Sequence, residues 1–408
     1  MLTRSAGAAI PNPARAGFFA WFGCAVLVLS CLAAASASAA TLVVGTDAPL
    51  ATLAEEVRQA HDGDTILVRS GEYRGDVALI EQKRLTIRGI GQRAVFIADG
   101  RDVEGKAMLV VRDGDIVIEN LEFRGARVPD GNGAAIRFEQ GRLLLRRCAF
   151  FDNQNGVLTA NFAAAELIIE DSEFAQAPQV ASPLPHLLYV GRIASLKVSG
   201  SRFHQGHVGH LLKSRARRTE LAYNLIVDGA DGRASYEVDL PNGGDALLLG
   251  NVIGQSAHSE NPVLVAYGAE GNAWPHSRLR LAHNTLVNDG LRPAWFLRVW
   301  SERLPPHTRV QAFNNLSVGV GVFAPAAAGG LAHNAADFVG NAAATRAMLA
   351  AVDTQDFALA PGSKLRGTGV DASTAFAGEL APRFEFTLPV GTRALAPPLR
   401  WSPGALQR

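Results

Sequence analysis

The chain has 408 residues, a net charge of +1 and only 19% charged residues, so neither a nucleic-acid-binding surface nor a polybasic membrane anchor follows from its composition. Its three cysteines exclude a disulfide-built domain, while 41 glycines suit a fold with many sharp corners.

The first element is a targeting segment. Arg4 and Arg15, the apolar run from Gly17 and the small-residue stretch ending Ala37-Ser38-Ala39 read as a secretory signal over residues 1–39. Leu29-Ser30-Cys31 loosely matches a lipoprotein-processing site, which is the alternative. Either way the exported chain is secreted or periplasmic, and no second apolar run long enough to span a membrane occurs after it. Cys148 is then the one cysteine left, at an inward position where it serves as a small apolar residue.

Thr41-Leu42-Val43-Val44 reads as a strand, and Leu50 to Ala60 carries apolar residues at helical spacing. A short amphipathic helix there would cap the open end of a stack of β-strands. The chain beyond it repeats. Short β-forming segments begin at Leu85, Ile116, Leu143, Leu167, Leu196, Glu220, Leu247, Leu279 and Arg309, and each ends in a turn and an apolar residue. The turn residues are Gly89, Asn120, Arg147, Asp171, Gly200, Asn224, Asn251, Asn284 and Asn315, at steps of 24 to 33. That period is too short for a βαβ unit and fits one coil of a β-solenoid.

The repeat implies two interior features. The asparagines are expected at the corners, passing amide hydrogen bonds up the stack and tolerating left-handed backbone. Phe123, Phe150, Phe174 and Phe203 recur at an inward position and are expected to form an internal aromatic stack.

Gly63-Asp64-Thr65-Ile66, with Gly71 and Tyr73, resembles the first coil of pectate-lyase-like right-handed β-helix proteins, and the segment from Asp356 resembles the last coils of the same superfamily. The resemblance implies an all-β fold: one right-handed parallel β-helix of about 9–11 coils over residues 40–372, with an N-terminal capping helix. Residues 373–408, rich in Pro and Ala, read as a tail packed on the solenoid or partly disordered.

Function is then sought on the outer face of one sheet, where side chains from residues about 24 apart stand on neighbouring rungs. Aligning the rungs at Ala135, His186, His210 and Tyr236 by their inward apolar residues gives an outward set of Tyr189, Lys213, Arg215, Glu237 and Asp239. Such a set suits β-elimination from a uronate polymer, an acidic polysaccharide. That reaction needs the C6 carboxylate neutralised, the C5 proton removed and the leaving oxygen protonated. Lys213 is the candidate base and Arg215 the carboxylate partner; Tyr189, His210 and Tyr236 are alternative proton carriers. Glu237 and Asp239 either hold Ca²⁺ or pair with the cations. His186, Arg137 and Tyr267 are assigned to substrate binding. Trp274, Trp295 and Trp300, with Tyr267, either line a sugar-binding cleft by stacking or cover lengthened coils. His204, His207 and His210 have metal-compatible spacing, but in a loop-to-strand stretch.

Lys213-Ser214 is similar to the lysine rung of the chondroitinase B and alginate lyase group, and this resemblance implies a lysine base, an assisting arginine and a carboxylate-held calcium. His207 and His210 stand where that group has an acid. The alternatives to a lyase are a uronate epimerase, which would use much the same groups, and a non-catalytic glycan-binding or structural β-helix. Either way the chain is expected to be monomeric and to bind no nucleic acid.

Overall fold

The computed structural model describes residues 39–408 apart from 46, 47, 49, 50, 180–183, 324–336 and 373–377. The leader up to Ser38, with Cys31, lies outside the described residues, as does Leu50.

The apolar-at-two pattern of each repeat folds as expected into parallel strands that stack coil on coil. Three strands per coil generate three parallel sheets, with 12 strands in the first, 11 in the second and 10 in the third. The chain is a right-handed β-solenoid of about ten turns. A helix over Leu53–Gln59 closes the lower end. It starts at Thr52, whose side chain accepts from the Glu55 N–H, and it buries Leu53 and Val57 against the first coil. The Asp76 carboxylate accepts from the N–H groups of Leu53 and Ala54 at 2.6 and 3.0 Å, which satisfies two of the helix's free donors.

The aromatic stack is present and longer than expected. Tyr73, Phe96, Phe123, Phe150, Phe174 and Phe203 lie ring over ring inside the second sheet, with centroids 4.5 to 5.6 Å apart. Above Phe203 the same file continues with Ile226, Ile253 and Leu286.

The asparagine ladder is also present, but it is offset from the corner. The left-handed residues are Asn120, Arg147, Asp171, Gly200, Tyr223, Gly250, His283 and Asn314, with φ between 48° and 67°. The ladder runs one residue later, through Cys148, Ser172, Ser201, Asn224, Asn251, Asn284, Asn315 and Asn341. Each asparagine amide donates to the next asparagine's Oδ1 at 2.9 to 3.0 Å and to a backbone carbonyl on the coil below. Asn224 to Asn315 are therefore not the left-handed corners. They satisfy the backbone groups that the corner leaves unpaired inside the coil.

Residues 378–408 run back along the corner between the first and second sheets. A hairpin of Phe384–Phe386 and Thr392–Ala394 lies there, Gly391 N–H donates to Gly200 O at 2.7 Å, and Trp401 packs on His283 and Phe313. No helix among the described residues is long and apolar enough to cross a membrane.

Candidate functional site

The third sheet aligns the residues in question in single file. Register pairing places Arg137, Leu158, Tyr189, Lys213 and Asp239 on five consecutive rungs of its outer surface. Three residues earlier on each strand a second file forms, His186, His210 and Tyr236, with ring centroids 4.9 Å apart at both steps. The histidines are locked by backbone: His186 Nδ1 accepts from the His210 N–H at 2.9 Å, and His210 Nδ1 from the Tyr236 N–H at 3.3 Å. Burial, reinforced for His210 by His186 and for both by Lys213 and Arg215, holds both imidazoles neutral, His186 down to about 3.

Lys213 is the centre of the cluster. It is only 8% exposed, with Nζ 2.6 Å from Glu270 Oε1 and 3.3 Å from Asp239 Oδ2. Asp239 is 2% exposed, its Oδ1 has no hydrogen-bond partner, and its Oδ2 lies 3.4 Å from His210 Nε2. Burial pushes the Asp239 carboxyl up to about 6 against the pull of Lys213. Arg215 donates to the Tyr189 hydroxyl and to Glu270 Oε2, and its guanidinium carbon sits 5.1 Å from the centre of the Tyr189 ring. Tyr189, Arg215 and Glu270, with Arg137, line a cleft of about 610 Å³ that also takes in Thr159, Asn161, Arg192 and Asn242. Arg137 has no ion-pair partner among the described residues, and its buried Nε has no hydrogen-bond partner.

Five of the residues assigned to catalysis, with His186, Arg137 and Asp239, are thus brought to one face. Two are not. Glu237 is fully buried inside the coil with neither carboxylate oxygen hydrogen-bonded, and burial together with Asp228 pushes its carboxyl well up. The cause is a departure from alternation: Leu187 and Leu188, then Leu211 and Leu212, are successive residues that both lie in the core, and Glu237 follows Leu187 and Leu211 in the stack. Tyr267 is also inward. It pairs with Leu240, is fully buried, and its hydroxyl donates to Gly244 O at 2.6 Å, so it cannot reach a substrate.

Calcium is therefore not accommodated by the residues proposed for it. Ca²⁺ takes six to eight oxygens, whereas Asp239 faces an ammonium and Glu237 faces the interior. No group of three or more His, Cys, Asp or Glu among the described residues is placed to hold a metal. The three histidines do not converge either: His204 contacts Glu173 on the second sheet at 2.9 Å, whereas His210 lies on the third. Trp274 covers a lengthened coil beside the cleft, its Nε1 donating to Arg215 O at 3.0 Å and its ring under Arg192 at 4.0 Å.

Glu270 is the residue sequence reading missed. It comes from the loop after the Val263–Tyr267 strand, within the longest corner-to-corner step in the repeat. The long step was visible; its carboxylate was one among several polar loop residues.

No family model and no curated protein matches this sequence. Solved structures do. Pectate lyase Pel9A is 14% identical, with a TM-score of 0.56 over 86% of this chain and 97% of its own. A PL6 alginate lyase bound to a trisaccharide is 13% identical over 74% of this chain and 63% of its own, with a TM-score of 0.43. An alginate lyase from Paenibacillus sp. str. FPU-7 is 15% identical over 69% and 94%, with a TM-score of 0.37. The chain has the pectate-lyase-like parallel β-helix fold, which the first of these comparisons and the three-sheet coil establish together.

Proposed function

We propose that this chain is a polysaccharide lyase that cleaves a uronate-containing polymer by β-elimination. The observation that carries the reading is the state of Lys213, desolvated on an outer face, touching a buried carboxylate with one oxygen unpaired, and paired with Glu270, which lines a cleft rich in arginine. An ordinary surface ion pair has no cause to be dry.

In this reading Arg215 and Arg137 pair with uronate carboxylates, which stabilises the charge that develops when the C5 proton leaves. Lys213, its resting proton passed to Asp239 Oδ2 3.3 Å away, takes the C5 proton. The electron pair forms the C4–C5 double bond, the C4–O bond breaks, and the leaving oxygen takes a proton from the Tyr189 hydroxyl, which Arg215 orients. His210 and Asp239 position Lys213, and His186 and Tyr236 hold His210 from either side. Arginine supplies the neutralisation that Asp239 and Glu237, placed as they are, do not supply through calcium.

Absorbance near ~232 nm, where the unsaturated uronate absorbs, tests this on alginate, pectate and glycosaminoglycans. A rise that is lost in Lys213→Ala supports the lyase. Inversion at C5 with no rise assigns an epimerase, and binding without either assigns a glycan-binding protein. Export after removal of residues 1–39 and a monomeric state belong to the same proposal; the N-terminal sequence of secreted material and its mass in solution check them.

A further inference from the structure

The cleft contains a carboxylate of its own where the substrate's would go. Glu270 spans the two cations of the site, Oε1 on Lys213 Nζ at 2.6 Å and Oε2 on Arg215. Its side chain is 41% exposed, unlike the buried Asp239 that holds Lys213 from the next coil. The backbone that carries it is fixed: Glu270 N–H donates to Pro241 O at 3.1 Å, and the Asn242 side-chain amide to Gly271 O at 2.6 Å. With the loop so held, the half-exposed Glu270 side chain is the part that can yield, and turning it toward solvent would uncover both cations. Lys213 keeps Asp239 when Glu270 leaves, and Arg215 keeps Tyr189.

We infer that Glu270 is a built-in stand-in for the substrate carboxylate, seated on Lys213 and Arg215 in the resting protein and displaced by an incoming uronate. The inference rests on the carboxylate-binding role proposed for Arg215. A tethered carboxylate competes at an effective concentration on the order of millimolar or above, so a single free carboxylate displaces it poorly. A chain that also engages Arg137 gains a second contact, three rungs or roughly 14 Å away at the rung spacing of ~4.8 Å. The cleft then favours polymers with several carboxylates over monouronates and over neutral glycans.

Calorimetric titration of the full chain with D-glucuronate, D-galacturonate and neutral D-galactose separates the possibilities, because monouronates carry no 4-linked sugar to eliminate. Glu270→Gln and Glu270→Ala should each bind at least one of the two monouronates about tenfold more tightly than the unaltered chain does, with galactose unchanged. Arg215→Gln added to Glu270→Gln should remove the gain. Unchanged, weaker or undetectable uronate binding in both Glu270 variants, with the thermal midpoint preserved, overturns the inference. A gain in binding without any ~232 nm product in the unaltered chain would retain the carboxylate seat and reject the lyase; product without the gain would do the reverse.

Discussion

Glu119 on the first sheet and Asp239 on the third are equally hidden, each 2% exposed, and they differ in how their oxygens are satisfied. Glu119 stands in a file of Arg88, Arg146 and Glu170, and both of its oxygens are taken, one by Arg88 and one by Arg146 at 2.8 Å. The arginines reach out to water at 48% and 38% exposure. Asp239 has one oxygen on a buried lysine and one on nothing. Acids and bases at the same rung spacing thus make a closed ladder with solvated arginines on one face and an open, dry cluster on the other. Charge pattern alone does not separate these two faces; an unpaired oxygen held under burial on the outer surface does.

The sharpest way to break this contrast is to remove one lysine from each face. Lys213→Ala should reduce the rate of unsaturated-uronate formation by about 10²–10⁴-fold, and Lys197→Ala on the first face should leave it within about twofold, as expected of an exposed cation. Neutralising the two hidden acids should move stability in opposite directions. At pH 8, Glu119→Gln should lower the urea midpoint by the equivalent of about 1 kcal/mol or more, whereas Asp239→Asn, which removes a charge that burial disfavours, should raise it by a similar amount.

The pH dependence of stability sharpens the comparison further. A buried His186 held down to about 3, against 6.5 in the open chain, contributes stability that is complete above pH 6.5 and is lost as pH falls toward 3. Asp239, held up to about 6 against 3.8, acts oppositely: stability declines as pH rises from about 4 to about 6. His186→Asn should lessen the acid loss, to which His210 and His283 also contribute, and Asp239→Asn should lessen the decline above pH 4, which Asp228 and Glu237 share; urea midpoints across pH 3.5–8 read both. The smallest effect expected is none: EDTA should change the rate of unsaturated-uronate formation by less than about twofold, since no group of three or more His, Cys, Asp or Glu among the described residues is placed to hold a metal.

The coil itself was legible because burying apolar residues at a fixed period leaves a clear trace, as with Phe123, Phe150, Phe174 and Phe203. The ladder was legible in composition and displaced by one in position. Asn is suited to a left-handed corner and to an internal amide ladder alike, and only backbone angles show that Tyr223 or His283 takes the corner while the asparagine turns in. Glu237 was misplaced for a related reason: strict alternation holds along most strands but fails where Leu187 and Leu188 both face the core. Glu270 was invisible because a loop carries no period; its role is defined by the distance to Lys213, 57 residues away in sequence.

The amide ladder also bears on how such a molecule changes over generations. Asn224, Asn251 and Asn284 are interchangeable as ladder members, each accepting from the coil below and donating to the next. Loss of residues 225–251 would set Asn224 beneath Asn284 and let the ladder rejoin. The same deletion would remove Asp239 from beside Lys213. A lineage that gains or sheds whole coils can therefore keep a sound rod while dismantling or relocating what the rod carries, so kinship in architecture among these solenoids is inherited more readily than kinship in activity.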